Sequence, residues 1–197
     1  MSPEFSECAA LVLCAHNIKV NLFESLRPTP ELSFAVRELK SSGGIVLTAS
    51  HNPKEYNGCK VYGNDGCQIT DEAANAIISE INKVDYIDIR KITREEAING
   101  GLLNIVGEDI DRKYIDILKS YVIRKSLVEK HAKDLKIVYT PIHGTGLMPI
   151  KRVLTELGYE NLHIVKEQEI PDGNFPTAPY PNPEDPKVFE LALNLAK

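Results

Sequence analysis

Residues 29–48, TPELSFAVRELKSSGGIVLT, carry a helix and a strand in immediate succession. Leu32, Ala35, Val36 and Leu39 recur at helical spacing, so residues 31–40 present one apolar face. Gly43 and Gly44 end that helix and release the chain into the apolar strand 45–48. A β-rich run at 18–23 and the turn Arg27-Pro28-Thr29-Pro30 come just before. Strand, helix and strand in this order predict βαβ units around a largely parallel sheet, an α/β fold.

Working outward, Ser2, Pro3 and Glu4 read as an N-cap, a first-turn proline and a first-turn acid, followed by the stripe Phe5, Ala9, Val12, Leu13. Residues 60–62 and 67–69 flank the turn 63–66, which predicts a hairpin. Thr70 caps a helix bearing Ala74, Ile77, Ile78 and Ile81. Thr93 and Glu96 form a capping-box pair for a short helix that stops at Gly100-Gly101. Residues 108–123 read as a longer helix with Ile110, Tyr114, Ile117, Leu118 and Tyr121 inward, and 124–134 as its end and a connector. A second unit follows: strand 135–140, loop 141–146, a helix with Ile150, Val153, Leu154 and Leu157, the C-cap Gly158, and strand 162–165. Six prolines make 170–186 an extended ordered loop before a last stripe, Val188, Leu191, Ala192, Leu195. The expected architecture is two consecutive α/β/α units with mixed, mainly parallel sheets. One end starts on a helix cap and the other stops inside a helical stripe, so both ends read as cut from a longer polypeptide.

With 197 residues, 43% of them hydrophobic, the chain can bury a core without disulfide staples. A net charge of −5 without any basic run argues against nucleic acid or an anionic membrane as partner. Cys8, Cys14, Cys59 and Cys67 show neither CxxC nor CxxH spacing, which predicts free thiols in a reducing cytoplasm. No apolar stretch approaches the ~18 residues that a membrane span needs.

The segment Thr48-Ala49-Ser50-His51-Asn52-Pro53 concentrates the chemistry. It lies past the carboxyl end of a strand, where open α/β sheets place ligands. Pro53 drives Asn52 out of helix and leaves Ser50 on a loop tip. The bland reading is a serine that caps a turn. A hydrolase nucleophile is disfavoured: the G-x-S-x-G elbow is absent, Ala49 and His51 flank the serine without the small residues such a turn needs, and adjacency places His51 poorly for a triad. Phosphoryl transfer stays open, since it relies on positioning and charge neutralisation. Lys60, in Tyr56-Asn57-Gly58-Cys59-Lys60, enters a strand that could return toward Ser50. A lysine beside a phosphoserine could shuttle a proton from a sugar hydroxyl; alone it is a solvated strand lysine. His143-Gly144-Thr145-Gly146 opens a helix and could turn backbone N–H groups to an anion, or could be a ligand-free glycine-rich connection.

TASHNP followed by YNG-x-K resembles the active-site serine loop of the α-D-phosphohexomutase superfamily. RPTPELSFAVREL, TPIHGTG and NFPTAPYPNPE resemble its phosphoglucomutase branch. The resemblance implies residues 1–130 as domain I, without its N-terminal strand, and 131–197 as the front of domain II. It implies Ser50 as the phosphoserine, interconverting glucose 1-phosphate and glucose 6-phosphate through a bisphosphate, with His51 and Lys60 catalytic and Lys60 the general acid/base. Asn52, His143 and Gly144 fall in the substrate phosphate's vicinity. Mg²⁺ would bind Ser50 through its phosphate, and glucose 1,6-bisphosphate would act as activator. The family's D-x-D-x-[DR] metal loop has no counterpart here, nor do the domains that read the sugar and clamp the distal phosphate. These residues alone are therefore expected to turn over little or nothing. Mannose, glucosamine and pentose phosphates stay open as substrates, as does a non-catalytic sugar-phosphate-binding module.

Overall fold

In the computed structural model, which describes residues 1–197, the chain forms two units. Met1–Thr48 with Gly58–Ile110 make the first, and Ala49–Asn57 with Asp111–Lys197 the second.

The first unit runs α1 (Ser2–Ala15), β1 (Val20–Phe23), α2 (Thr29–Glu38), β2 (Gly43–Leu47), β3 (Cys59–Gly63), α3 (Asp71–Ile81), α4 (Arg94–Asn99) and β4 (Leu103–Val106). β1 pairs parallel with β4, from Val20 opposite Leu103 to Phe23 opposite Val106. β2 pairs antiparallel with β3, from Gly43 opposite Gly63 to Leu47 opposite Cys59. Both kinds of pairing therefore occur, in keeping with the expected mixed sheets, although β1 and β2 flank α2 without pairing with each other. The pattern had not marked β4, whose four residues include Asn104.

The core of this unit gathers Ala10, Leu11 and Cys14 of α1, Ala97 of α4 and Leu103 of β4, with Val20 and Leu22 packed against them. Full burial of a leucine side chain contributes about 1.5–3 kcal/mol, so Leu11 and Leu103 are principal holds between helix and ladder. The predicted stripe of α1 is out of phase: Phe5 is exposed, and the buried face runs through Ala10, Leu11 and Cys14. Cys14 packs as a small hydrophobe, and leaving it out of the stripe rotated the predicted face.

Two caps occur where the sequence put them. Thr70 accepts from the Ala73 amide at the head of α3. Thr93 and Glu96 complete a reciprocal capping box on α4, and Gly101 follows it at φ +66°. The apolar face of α3 is a different matter, because no residue of that helix is buried.

The second unit contains α5 (Glu108–Ser120) from Asp111 onward, α6 (Lys125–His131), β5 (Lys136–Tyr139), α7 (Leu147–Glu156), β6 (Asn161–Ile164) and α8 (Glu190–Ala196). β5 and β6 pair parallel, Lys136 opposite Asn161 through Tyr139 opposite Ile164, with α7 as the crossover. α8 packs against β5. Gly158 closes α7 at φ +91°, in the predicted C-cap role. On α5, Ile115 is fully buried while Tyr121 lies beyond the helix and is exposed, so the inward face passes through Ile110, Asp111 and Ile115. The 124–134 connector holds α6. Glu156 binds α7 to α5, accepting from Lys119 Nζ at 2.6 Å and Arg112 Nη1 at 2.8 Å, and also takes Arg152 Nε from its own helix at 3.2 Å.

All four cysteines are free. No helix is long and apolar enough to cross a membrane.

Candidate active site

The serine loop leaves the β2–β3 ladder at Leu47 and returns at Cys59. Its base is closed by the Thr48 amide donating to the Gly58 carbonyl at 2.9 Å. A Cβ on residue 58 would stand 2.8 Å from the Thr48 oxygen, so only glycine lets the two strands close there. Lys60 follows on β3, opposite Val46 and partly buried.

Within residues 49–57, the Asn52 amide donates to the Ala49 carbonyl and the Tyr56 amide to the Pro53 carbonyl, each at 3.0 Å. The first of these turns carries Ser50 at its bend, exposed and at φ +58°. A left-handed backbone costs an L-residue with a Cβ roughly 1–2 kcal/mol. Such strain persists where the surroundings over-determine it, commonly at functional positions. Ser50 Oγ lies 3.2 Å from Nδ1 of His51. Sequence adjacency places the imidazole poorly for triad geometry. It does reach the hydroxyl, through Nδ1 and across an exposed loop, which is a local contact and not a buried relay.

The loop 141–146 is built differently. Ile142 and His143 are both left-handed, at φ +50° and +57°, and the His143 side chain is buried. Its Nδ1 lies 3.1 Å from the Ile170 carbonyl and its Nε2 2.9 Å from Thr177 Oγ1. Its amide donates to the Gln168 carbonyl at 3.0 Å, and the Gly144 amide to the Pro141 carbonyl at 2.8 Å. These two N–H groups are thus engaged within the protein. An anion at the head of α7 would meet the helix's own first amides instead. Gly146 lets the Tyr139 hydroxyl come close, since a Cβ there would stand 2.7 Å from it and the phenol would have to shift. Burial pushes the Tyr139 phenol above its ordinary value and keeps it neutral.

Gln168 is the residue that the sequence did not reveal. It is fully buried, yet Glu167 and Glu169 flank it and the tripeptide reads as solvated surface. Its Oε1 accepts from the Thr140 hydroxyl at 2.5 Å and its Nε2 donates to the Val188 carbonyl at 3.3 Å. No local signal marks such a group, since its partners lie 28 and 20 residues away. No cluster of three or more His, Cys, Asp or Glu side chains is placed to hold a metal ion.

Comparison with known proteins gives a consistent picture. Residues 1–88 match the family model described as phosphoglucomutase/phosphomannomutase, alpha/beta/alpha domain I, and residues 112–197 that of domain II. The chain is 39% identical over 197 residues to a phosphoglucomutase of Staphylococcus saprophyticus and 37% identical over 201 residues to one of Staphylococcus epidermidis. Each alignment takes in 100% of this chain and 35% of the relative, so the chain spans about a third of the length of these curated relatives. A crystal structure from Thermus thermophilus, designated a phosphomannomutase, superposes with a TM-score of 0.79 at 29% identity, covering 98% of this chain and 40% of that one.

Proposed function

The chain belongs to the phosphoglucomutase/phosphomannomutase family, and from that premise we propose that it carries the phosphoryl-bearing part of a hexose phosphate mutase, with Ser50 as the phosphorylated residue. The observation that supports this most directly is the backbone of Ser50: exposed, left-handed, and raised on a loop whose base is closed by a β-ladder.

In this reading a hydroxyl of a sugar monophosphate attacks the phosphorus of phosphoserine. The sugar O–P bond forms, the P–Oγ bond of Ser50 breaks, and the proton lost by the sugar hydroxyl is balanced by one gained at Oγ. The bisphosphate turns in the site, and Oγ then attacks its other phosphate, so glucose 1-phosphate and glucose 6-phosphate interconvert. Positioning and charge neutralisation supply most of the catalysis. Lys60 is the general acid/base, and His51 orients the hydroxyl through Nδ1. Asn52 ends the turn that presents Ser50, while His143 and Gly144 shape the second loop. Glucose 1,6-bisphosphate would recharge an unphosphorylated Ser50.

The residues present do not by themselves fit a magnesium site. A phosphate on Ser50 would offer terminal oxygens on one side of the ion only, and no carboxylate cluster completes the shell. Sugar selection and the cytoplasmic setting belong to the same proposal.

The test is a chimera in which residues 1–197 replace the matching third of the Staphylococcus saprophyticus phosphoglucomutase. It is expected to interconvert the two glucose phosphates. After glucose 1,6-bisphosphate and Mg²⁺ it should carry phosphate on the peptide containing Ser50, and Ser50→Ala should lose both properties. An active chimera with unmodified Ser50 would overturn the mechanism. A folded, inactive chimera that still binds glucose 6-phosphate would favour the non-catalytic sugar-phosphate module.

A further inference from the structure

Four hydrogen bonds run from His143 alone to residues 168–177: its amide to the Gln168 carbonyl, its carbonyl from the Asp172 amide, Nδ1 to the Ile170 carbonyl, and Nε2 with Thr177 Oγ1. Carbonyl oxygens only accept, so Nδ1 donates to Ile170, while Nε2 pairs with the Thr177 hydroxyl, which can serve either ring form. Phe175 meets the imidazole edge-on, with ring centroids 6.5 Å apart. The same reasoning orients the Gln168 amide: its NH₂ faces the Val188 carbonyl and its oxygen takes the Thr140 hydroxyl.

The segment held in this way has little structure of its own. Its internal bonds are the short turns Phe175 to Asp172 and Ala178 to Phe175, and an Asp172 side chain receiving the Asn174 amide. The β5–β6 ladder, by contrast, has a complete parallel register. Phe175 in the segment and His143, to which it is bonded, are both left-handed, so release of the segment would let strained residues on either side of the contact relax. Few internal bonds, anchorage confined to His143, the buried Ala178 and a Lys151–Glu169 pair at its start, and strain at the contact describe a part of the fold that opens on its own.

We propose that residues 169–178 form a strap latched onto the loop 141–146 by the imidazole of His143, and that the strap opens as a unit while β5, α7 and β6 stay folded. The histidine of the HGTG motif is a latch in this assignment. The inference rests on side-chain geometry and does not depend on the mutase reading.

Hydrogen exchange of the 197-residue chain, followed by mass spectrometry, tests it without any phosphate or substrate. In His143→Ala, amides of 170–178 should exchange roughly tenfold faster or more, as expected for the loss of one or more net hydrogen bonds. Peptides covering 136–139 and 161–164 should not change. Thr177→Val should produce a smaller rise confined to the strap, and Thr177→Ser should stay near the parent. Unchanged strap exchange in His143→Ala, or an equal rise in β5 and β6, would overturn the proposal. If His143→Ala fails to fold, Thr177→Val decides alone: a rise confined to the strap supports the latch, and no rise overturns it. A failed latch would leave phosphorylation of Ser50 untouched, so the two proposals fail separately.

Discussion

Val46 of β2 stands opposite Lys60 of β3, one step inside the Leu47–Cys59 pair from which the serine loop departs. Lys60 is therefore set by an antiparallel ladder, whereas Ser50 is set by a strained turn. A ladder position moves only when the register slips, and a slip would turn every side chain of β3 to the opposite face. The lysine is thus held more rigidly than the serine.

Replacement of Ser50 by glycine should stabilise the protein by about 0.5 kcal/mol, because relief of the left-handed backbone outweighs the added freedom of the unfolded chain. The same variant cannot accept phosphate. Urea unfolding of Ser50→Gly against the parent checks the gain. A loss of stability would show that Ser50 is not strained.

Gly66 and Gly101 both have positive φ, +76° and +66°, yet their surroundings differ. At residue 66 a Cβ would crowd Arg37 Nη1 and the Ser33 carbonyl, where Ser33 Oγ also donates to the Gly66 carbonyl at 2.6 Å. At residue 101 nothing lies within 4 Å. Gly66→Ala should cost about 2 kcal/mol or more, and Gly101→Ala only the backbone penalty of about 1 kcal/mol. Equal losses in chemical denaturation would mean that the Ser33–Gly66 contact contributes nothing.

Glu156 is held near a pKa of about 2, by Lys119 foremost, with Arg112 and Arg152 adding to it. A carboxylate depressed in the folded state lends stability that is complete above its ordinary value of 4.5 and is lost as pH falls toward 2. Solvent around the half-exposed Arg112 trims this to about 1 kcal/mol. Glu156→Gln should therefore weaken the protein at pH 7 and show a flatter stability curve between pH 5 and pH 2. A variant whose pH curve parallels the parent's would rule out this network as a source of acid sensitivity.

Thr93→Ala removes the hydroxyl that accepts from the Glu96 amide and donates to the Glu96 carboxylate, leaving only the backbone N–H of residue 93 on that carboxylate. A cost of about 1 kcal/mol is expected. Because Ala97 of the same helix is fully buried in the core with α1, the loss should appear in global unfolding as well as in fraying of α4. Exchange protection of the Leu103–Val106 amides reports on this: if they are unaffected, α4 unfolds separately.

What could be read from the sequence follows the range of the forces involved. Thr70, Thr93 with Glu96, and Gly158 were legible as helix ends because a cap acts within four residues. The faces of α1 and α5 were misjudged by a fraction of a turn, since which side of a helix is buried depends on what packs against it. Ile77, Ile78 and Ile81 form a proper apolar stripe, yet they remain exposed on α3.

By itself the sequence determined the α/β class and the serine loop, because each is written in neighbouring residues whose backbone preferences admit few alternatives. Only the tertiary structure decided that β1 pairs with β4, that Ser50 is left-handed, that Gln168 is buried, and that His143 spends both nitrogens on Ile170 and Thr177. Those outcomes depend on partners tens of residues away. A buried polar group is satisfied by whatever the completed fold brings to it, and no local pattern encodes that meeting.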